Sequence, residues 1–222
     1  MKPPVEISQI ASTGYDGLHV LLDDDPRWGR DPVAQAESLR GAGAAVFQLR
    51  AKQSTDQEAL DFARELRRIT REDGTRLVVN DRFDLALACE ADAVHLGQDD
   101  LPPEAIPQAV RLRLAIGRST HDRKQALRAA AEGAAYIAFG PLFGTQSKDT
   151  PFAARGLEAL RQIVVDVAPI PVVAIGGIDA SRTRAIRETG ARGIAVISAV
   201  ANDPAPRLRA RELARGLRGA RP

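Results

Sequence analysis

Short apolar runs alternate with amphipathic segments along this chain of 222 residues. The apolar runs are bounded by glycine, proline or charged residues, which is typical of strands buried on both faces. The segments between them repeat apolar side chains at helical spacing, as at Ala59, Ala63 and Leu66, which predicts helices with one buried face. The pattern predicts eight strands, at residues 18–22, 45–49, 76–79, 93–96, 114–116, 136–139, 172–175 and 193–197.

Eight strands that are each followed by a helix favour an α/β fold, a single (β/α)8 TIM barrel. The barrel is expected to span residues 17–222 as one catalytic domain, preceded by a loose N-terminal arm of residues 1–16. A doubly wound open sheet is the alternative. It is less favoured because no Gly-x-Gly-x-x-Gly follows the first strand.

Composition narrows the cellular setting. The single cysteine, Cys89, excludes an internal disulfide and fits a reducing compartment. No apolar run approaches the roughly 20 residues of a membrane span. Residues 1–14 contain no hydrophobic core of a secretory signal. The sequence therefore predicts a cytoplasmic protein without a membrane partner.

Arginine is concentrated near the C-terminus, although the net charge is only +2. Nucleic-acid binding is one interpretation, and the solvated face of a C-terminal helix is the other. Basic surfaces that bind nucleic acid usually carry aromatic or motif support. None of the nine aromatic residues lies in that tail, so no nucleic-acid partner is predicted.

Two cations and an amide follow the second predicted strand. Because side chains in a strand alternate between its faces, Gln48, Arg50 and Lys52 point the same way. Three such donors at the end of a buried strand are suited to a polyanion. Alternatively, the strand simply leaves the core through charged residues.

Other strand ends carry carboxylates, glycines and hydroxyls. Asp81 follows the third strand and Asp100 the fourth, which favours Mg²⁺ beside a phosphate; Asp81 could instead cap the next helix. Gly177 and Ser198 follow the last two strands, where barrels commonly bind phosphate. His121 is either a general base or a surface histidine.

The motifs, taken in order, resemble those of the thiamine-phosphate synthase family, which also contains the TenI-type proteins. The motifs that carry the resemblance are Gln48-Leu49-Arg50-x-Lys52, Val79-Asn80-Asp81-Arg82, His95-Leu96-Gly97-Gln98-Asp99-Asp100, Gly117-Arg118-Ser119-Thr120-His121, Thr145-Gln146-Ser147-Lys148, Ile175-Gly176-Gly177 and Ile197-Ser198. The family joins a hydroxymethylpyrimidine diphosphate to a thiazole phosphate and releases pyrophosphate. The resemblance therefore implies a Mg²⁺-dependent transferase with small phosphorylated substrates, and it leaves a homodimer open.

The resemblance also implies roles for individual residues. It assigns the pyrimidine diphosphate to Gln48, Arg50, Lys52, Asn80, Ser119 and Lys148, and among these Arg50, Lys52, Ser119 and Lys148 are the expected catalytic residues. It assigns the thiazole phosphate to Thr145, Gln146, Ser147, Gly177, Ile197 and Ser198. Asp81 and Asp100 are the implied ligands of Mg²⁺.

The chain departs from the family pattern at the first strand, which ends in Leu22-Asp23-Asp24-Asp25 rather than Thr-Asp. Two other functions stay open. One is a thiazole tautomerase of the TenI type, in which His121 stands at the position of the catalytic histidine. The other is a non-catalytic regulator that binds thiazole phosphate. The retained carboxylates and cations favour the transferase, because a monophosphate ligand has no need of them all.

Overall fold

The structure, a computed structural model, describes residues 14–144 and 152–218. Within them, eight parallel strands form a closed barrel in which each strand pairs with the next and β8 pairs with β1. The strands are β1 (Gly17–Asp23), β2 (Val46–Arg50), β3 (Arg76–Asn80), β4 (Ala93–Leu96), β5 (Ala115–Thr120), β6 (Tyr136–Phe139), β7 (Val172–Ile175) and β8 (Gly193–Val196). The predicted (β/α)8 barrel is confirmed, and the open-sheet alternative is wrong because the sheet has no free edge.

Helices follow the strands around the outside of the barrel. They are α1 (Pro32–Ser38), α2 (Asp56–Asp73), α3 (Phe83–Ala88), α4 (Gln108–Arg111), α5 (Arg123–Ala131), α6 (Gly156–Asp166), α7 (Thr183–Arg187), α8 (Ser198–Ala201) and α9 (Pro206–Arg218), with short 3-10 helices at Pro26–Trp28, Pro103–Ala105 and Ala180–Arg182. The longest, α2, begins with a capping box between Thr55 and Glu58 and ends at Gly74, whose φ is 70°. These local signals fix both ends of the helix.

Side chains on each strand alternate between two apolar layers. In β2, Phe47 and Leu49 pack against the helices, whereas Val46 belongs to the layer inside the barrel. Gln48 and Arg50 follow Val46 at a spacing of two, so they also face the interior. Because side chains alternate in this way, the polar residues at the strand ends point into one shared space at the C-terminal end of the barrel.

The fifth strand is longer than its apolar pattern predicts. The prediction covered residues 114–116, but β5 runs from Ala115 to Thr120. Arg118 interrupts the apolar pattern, yet only 1% of its surface is exposed. The Arg118 guanidinium lies 3.2 Å from the carboxylate of Glu132 and donates to the Gly97 carbonyl oxygen at 2.9 Å. A charged residue can be buried in this strand because the Glu132 carboxylate and the Gly97 carbonyl oxygen interact with its guanidinium there.

Tyr15 lies just before β1 and helps to fill the N-terminal end of the barrel. It is 2% exposed, and its ring stacks on that of Tyr136 with 4.9 Å between the centroids. The guanidinium of Arg76 lies 5.1 Å from the centre of the Tyr15 ring. Residues 1–13 of the predicted arm lie outside the described residues.

The C-terminal helix packs on the barrel through one face. Ala210, Leu213 and Ala214 of α9 are buried. On the other face, Arg209 pairs with Asp203 at 2.8 Å and with Glu212 at 2.6 Å. Among the described residues, none of the helices combines the length and the apolar content needed to cross a bilayer.

Candidate active site

The end of β1 organises the cations that follow β2. Asp23 is 1% exposed and pairs with Arg50 in the strand register. Its Oδ2 atom lies 2.6 Å from Nη1 of Arg50. Asp23 thus holds the Arg50 guanidinium at the C-terminal end of the barrel, which gives the unusual acidic edge of the first strand a structural role.

Asp24 shapes the loop that carries Lys52. Its carboxylate accepts hydrogen bonds from the backbone N–H groups of Lys52 at 2.8 Å, Gln53 at 2.9 Å and Ser54 at 2.7 Å. The Ser54 hydroxyl donates a fourth bond at 2.7 Å. Burial raises the pKa of Asp24, but the hydrogen bonds outweigh it and hold the pKa below the ordinary value.

The two predicted metal ligands meet at the ends of β3 and β4. The carboxyl groups of Asp81 and Asp100 are close enough to interact electrostatically, and Lys52 forms an ion pair with Asp81. Burial raises the pKa of Asp81, the neighbouring Asp100 raises it further, and Lys52 opposes both effects. The backbone of Asp81 has a φ of 64°, a left-handed conformation that is uncommon outside glycine.

Helix capping does not explain Asp81. Helix α3 begins at Phe83, and its N-cap residue, Arg82, makes no side-chain capping bond. The N–H group of Asp81 instead donates to the His95 carbonyl oxygen at 2.8 Å. This bond ties the end of β3 to β4 and brings Asp81 beside Asp100.

A buried arginine supports the loop that carries Asp100. The Gly97 N–H donates to Oδ2 of Asp100 at 2.6 Å, and the Gly97 carbonyl oxygen accepts from Arg118. The Gln98 amide also donates to the backbone oxygen of Ser119. The sequence analysis gave Arg118 no role. A charged residue between Gly117 and Ser119, in a strand that is otherwise small or apolar, could have indicated one.

Four polar side chains meet inside the barrel below this loop. The Tyr136 hydroxyl lies 2.9 Å from Nδ1 of His95, and Nε2 of His95 lies 2.8 Å from the Ser119 hydroxyl. The Gln48 amide nitrogen lies 3.5 Å from the same Tyr136 oxygen. Gln48 and Ser119 were predicted site residues, but the sequence gave no role to His95 or Tyr136. Asn80 ends β3 on the inward face, half-buried, and pairs with His95 in the strand register.

A cavity lies beside this group, at the ends of β5 to β8. Its lining includes Ser119, His121, Gly140, Gly177, Ile197 and Ser198. Gly177 has a φ of 63°, and a Cβ there would lie 2.3 Å from the Gly144 carbonyl oxygen, so only glycine fits this turn. Arg182 donates to the Gly177 carbonyl oxygen, and its guanidinium lies 4.3 Å from the centre of the Phe143 ring.

Gly177, Ile197 and Ser198 line one cavity in the structure, and their assignment to the thiazole phosphate stays a prediction. The remaining predicted residues of the thiazole phosphate site, Thr145, Gln146 and Ser147, lie outside the described residues, as does Lys148.

His121 faces the same cavity. Its Nδ1 atom lies 2.6 Å from the Gly140 carbonyl oxygen, so Nδ1 carries the proton that this acceptor requires. The ring stacks on Phe152 with 3.9 Å between centroids. In the tautomer with its proton on Nδ1, the acceptor nitrogen of the ring is Nε2.

Comparison with known proteins identifies the family. Residues 18–200 match the family model described as thiamine monophosphate synthase. The thiamine-phosphate synthase of Chlorobium phaeovibrioides is 42% identical over 198 residues, which cover 89% of this chain and 92% of that protein. The thiamine-phosphate synthase of Anaeromyxobacter dehalogenans is 44% identical over 216 residues, which cover 93% and 92% respectively.

Solved structures agree with this assignment. The thiamine phosphate pyrophosphorylase from Pyrococcus furiosus has a TM-score of 0.83 and 36% identity, and the match covers 92% of this chain and 96% of that one. The orotidine 5'-phosphate decarboxylase from Pyrococcus horikoshii, at 17% identity and a TM-score of 0.65, shares the fold alone. The resemblance expected from the motifs is confirmed: this chain belongs to the thiamine monophosphate synthase family.

Proposed function

We propose that this protein is a thiamine-phosphate synthase. It condenses 4-amino-5-hydroxymethyl-2-methylpyrimidine diphosphate with 4-methyl-5-(2-phosphoethyl)thiazole and releases pyrophosphate. The observation that carries the proposal is the Lys52–Asp81 ion pair, next to which the Asp100 carboxyl group is close enough to raise the pKa of Asp81. A tautomerase or a sensor for a thiazole monophosphate has no use for such a set, whereas a diphosphate leaving group needs it.

The residues at this point fit a magnesium ion. Mg²⁺ in enzymes is typically bound through one or two carboxylates together with substrate phosphates. In the described part of the chain, no group of three or more His, Cys, Asp or Glu side chains is placed to hold a metal. Two adjacent carboxyl groups, one with a raised pKa, are nevertheless suited to a cation shared with a diphosphate. Asp81 and Asp100 would hold this Mg²⁺, which supplies neutralisation of the growing negative charge on the leaving group.

The chain's cations act on the same charge. Arg50 and Lys52 lie at and just after the end of β2, where they pair with Asp23 and Asp81. The resemblance adds Lys148 as a third cation of this proposal. Negative charge grows on the pyrophosphate as its C–O bond breaks, so fixed cations stabilise the transition state more than the ground state. Asp23 keeps Arg50 in place before substrate arrives, which reduces the reorganisation needed during the reaction.

No protein nucleophile is required. The aminopyrimidine ring can delocalise the positive charge left when the C–O bond ionises, and the thiazole nitrogen then attacks that carbon. We place the pyrimidine diphosphate over Gln48, Asn80 and Ser119, and the thiazole phosphate against Gly177, Ile197 and Ser198. Ser119 also lines the cavity of the second group, so the two substrates would meet beside it. The barrel's contribution to joining them is proximity and orientation.

The second candidate function is a thiazole tautomerase. The orientation of His121 favours it, since the bond to Gly140 makes Nε2 the acceptor nitrogen of a ring that lines the cavity. The deciding experiment incubates the protein with both substrates and Mg²⁺ and measures thiamine phosphate, in parallel with an assay of thiazole tautomerisation. We expect thiamine phosphate to form; tautomerase activity alone would overturn the proposal.

The variant His121→Ala separates the two functions within the same protein. Thiamine phosphate formation needs no histidine base, so we expect kcat to stay within about tenfold of the wild type. A tautomerase that used His121 would lose about 10²–10⁴-fold. Lys52→Ala serves as the comparison, because it should impair the synthase reaction more than His121→Ala does. A larger loss in His121→Ala than in Lys52→Ala would mean that the protein is a tautomerase.

Substitutions in the cavity wall should affect one substrate selectively. We expect Gly177→Ala and Ser198→Ala each to raise the KM for the thiazole phosphate more than the KM for the pyrimidine diphosphate. The added Cβ at position 177 meets the Gly144 carbonyl oxygen, and the loss at position 198 removes a hydroxyl from the cavity lining. Steady-state kinetics with each substrate varied in turn would measure the split. Equal changes in both KM values would mean that these residues only shape the turns.

Other parts of the proposal follow from the same chemistry. Small phosphorylated substrates account for the charged residues at the strand ends without a nucleic-acid partner. We also propose a cytoplasmic location. A homodimer stays a proposal, and light scattering of the purified protein would decide it.

A further inference from the structure

Four polar side chains inside the barrel are linked by hydrogen bonds, and the proposed mechanism has not used the direction of those bonds. Tyr136, Gln48 and His95 are 1%, 4% and 5% exposed, so their hydrogen bonds must be made within the protein. The group runs from Gln48 through Tyr136 and His95 to Ser119, which lines the substrate cavity.

The reach of Tyr136 depends on a glycine. Gly117 pairs with Tyr136 in the strand register, and a Cβ at Gly117 would lie 2.2 Å from the Tyr136 ring. The ring therefore lies across β5, with its hydroxyl close to β4 and β2. Tyr15 stacks on the same ring, and His19 meets its edge with 5.3 Å between centroids. The hydroxyl is thus held in one place by packing.

The placement of the Gln48 amide, with its nitrogen 3.5 Å from the Tyr136 oxygen, sets the direction of these hydrogen bonds. The Gln48 nitrogen can only donate, so the Tyr136 oxygen accepts there. Burial raises the pKa of Tyr136 well above its ordinary value, so the phenol keeps its proton. That proton goes to Nδ1 of His95, which must then be the unprotonated nitrogen of the neutral ring.

The remaining step sets the serine. With Nδ1 acting as the acceptor, the proton of the neutral His95 ring is on Nε2, and it is donated to the Ser119 oxygen. The proton of Ser119 then points away from His95. We infer that His95 and Tyr136 are positioning residues. They hold Ser119 as a hydrogen-bond donor toward the substrate, and they orient the Gln48 amide so that its carbonyl oxygen can accept a hydrogen bond.

This inference rests on the proposed function, and it specifies how one end of that site is prepared. A serine fixed as a donor selects an acceptor, such as an oxygen of the pyrimidine diphosphate. A hydroxyl free to rotate could donate or accept equally well, so it would contribute less to binding and orientation.

The first test reads the tautomer without any activity. The ¹⁵N spectrum of the histidine rings distinguishes a protonated from an unprotonated nitrogen, and His95→Gln assigns the His95 signals. We expect a proton on Nε2 and none on Nδ1 in the wild type, and a mixture of tautomers in Tyr136→Phe. A wild-type ring with its proton on Nδ1 would overturn the inference.

The second test is a double-mutant cycle. We expect Tyr136→Phe to lower kcat/KM for the pyrimidine diphosphate by about three- to tenfold, the effect of one lost hydrogen bond. In a Ser119→Ala background the same change should have almost no further effect, because Tyr136 acts through Ser119. A purely structural role of Tyr136 would give the same factor in both backgrounds, and that result would overturn the inference.

Tyr15→Phe is the matched control. Tyr15 stacks directly on Tyr136, but its hydroxyl donates to the Asp92 carbonyl oxygen at 3.4 Å, at the N-terminal end of the barrel. It should change neither the His95 tautomer nor kcat/KM. A wild type that formed no thiamine phosphate would contradict the proposed function and not the tautomer assignment; an active wild type without coupling would contradict only the inference.

Discussion

Replacing either Asp81 or Asp100 by asparagine should lower kcat/KM for thiamine phosphate formation by about 10²–10³-fold while the barrel stays folded. Each change removes one of the two adjacent carboxylates proposed to hold Mg²⁺. The loss corresponds to a few kcal/mol of transition-state stabilisation, at the level expected when one charge-stabilising group is removed. Asparagine is preferred to alanine because Asp81 has a φ of 64°, which asparagine tolerates better than alanine does.

Asp99→Asn is the matched control for this prediction. Asp99 is exposed and lies next to Asp100 in sequence, so the variant removes the same charge at almost the same place. It should keep kcat/KM close to the wild-type value. Titration of Mg²⁺ by calorimetry in the presence of pyrophosphate would show weaker binding in the two site variants and not in the control. Normal turnover of Asp81→Asn at limiting Mg²⁺ would remove Asp81 from the proposed metal site.

The barrel was predictable because its signals are local. Apolar runs, amphipathic helices and the glycines between them depend on near neighbours in sequence, and eight repeats of one pattern leave few other topologies. The fifth strand shows the limit of this approach. The second half of that strand was not predicted, because Arg118 interrupts the apolar pattern there. Burial of the Arg118 charge depends on Glu132, which lies beyond the following helix, and on a loop after β4.

The strand period also predicted which side chains of the second strand point the same way. Gln48 and Arg50 face the interior as expected, and the ends of β3 and β4 bring Asp81 to Asp100. The period could not predict the role of Asp23, because its partner Arg50 becomes its neighbour only through the pairing of β1 with β2. An acidic residue at a strand end reads equally well as a solvated turn until that register is known.

The contacts of His95 and Tyr136 were out of reach for a similar reason. Tyr136 lies in an apolar run and reads as a core residue, which it also is. Its hydroxyl reaches His95, 41 positions away in sequence, because Gly117 leaves space for the ring. A glycine in a strand indicates a close approach but does not name the group that approaches.

Acid should destabilise this protein partly through His19, a third histidine that takes no part in the proposed reaction. His19 is 1% exposed, and its Nε2 atom donates to the Tyr15 carbonyl oxygen at 2.7 Å. Burial lowers the pKa of His19 from 6.5 to about 4, although the bond to Tyr15 and the nearby Asp16 act in the opposite direction. The folded barrel therefore keeps this ring neutral at a pH where the unfolded chain binds a proton.

The sign and size of the effect follow from that difference. Below pH 6.5 the unfolded state gains a proton that the folded state does not, so the free energy of unfolding falls as the pH falls toward about 4. The shift corresponds to a loss of about 3 kcal/mol across this window, and above pH 6.5 the contribution is fully retained.

His19→Gln keeps a donor for the Tyr15 carbonyl oxygen but cannot titrate. Urea unfolding at pH values from 7 to 4 should therefore show a shallower loss of stability in the variant than in the wild type, by about 3 kcal/mol at the acid end. The carboxylates titrate in both proteins and cancel in the comparison, so parallel stability curves would mean that His19 does not remain neutral in the folded barrel.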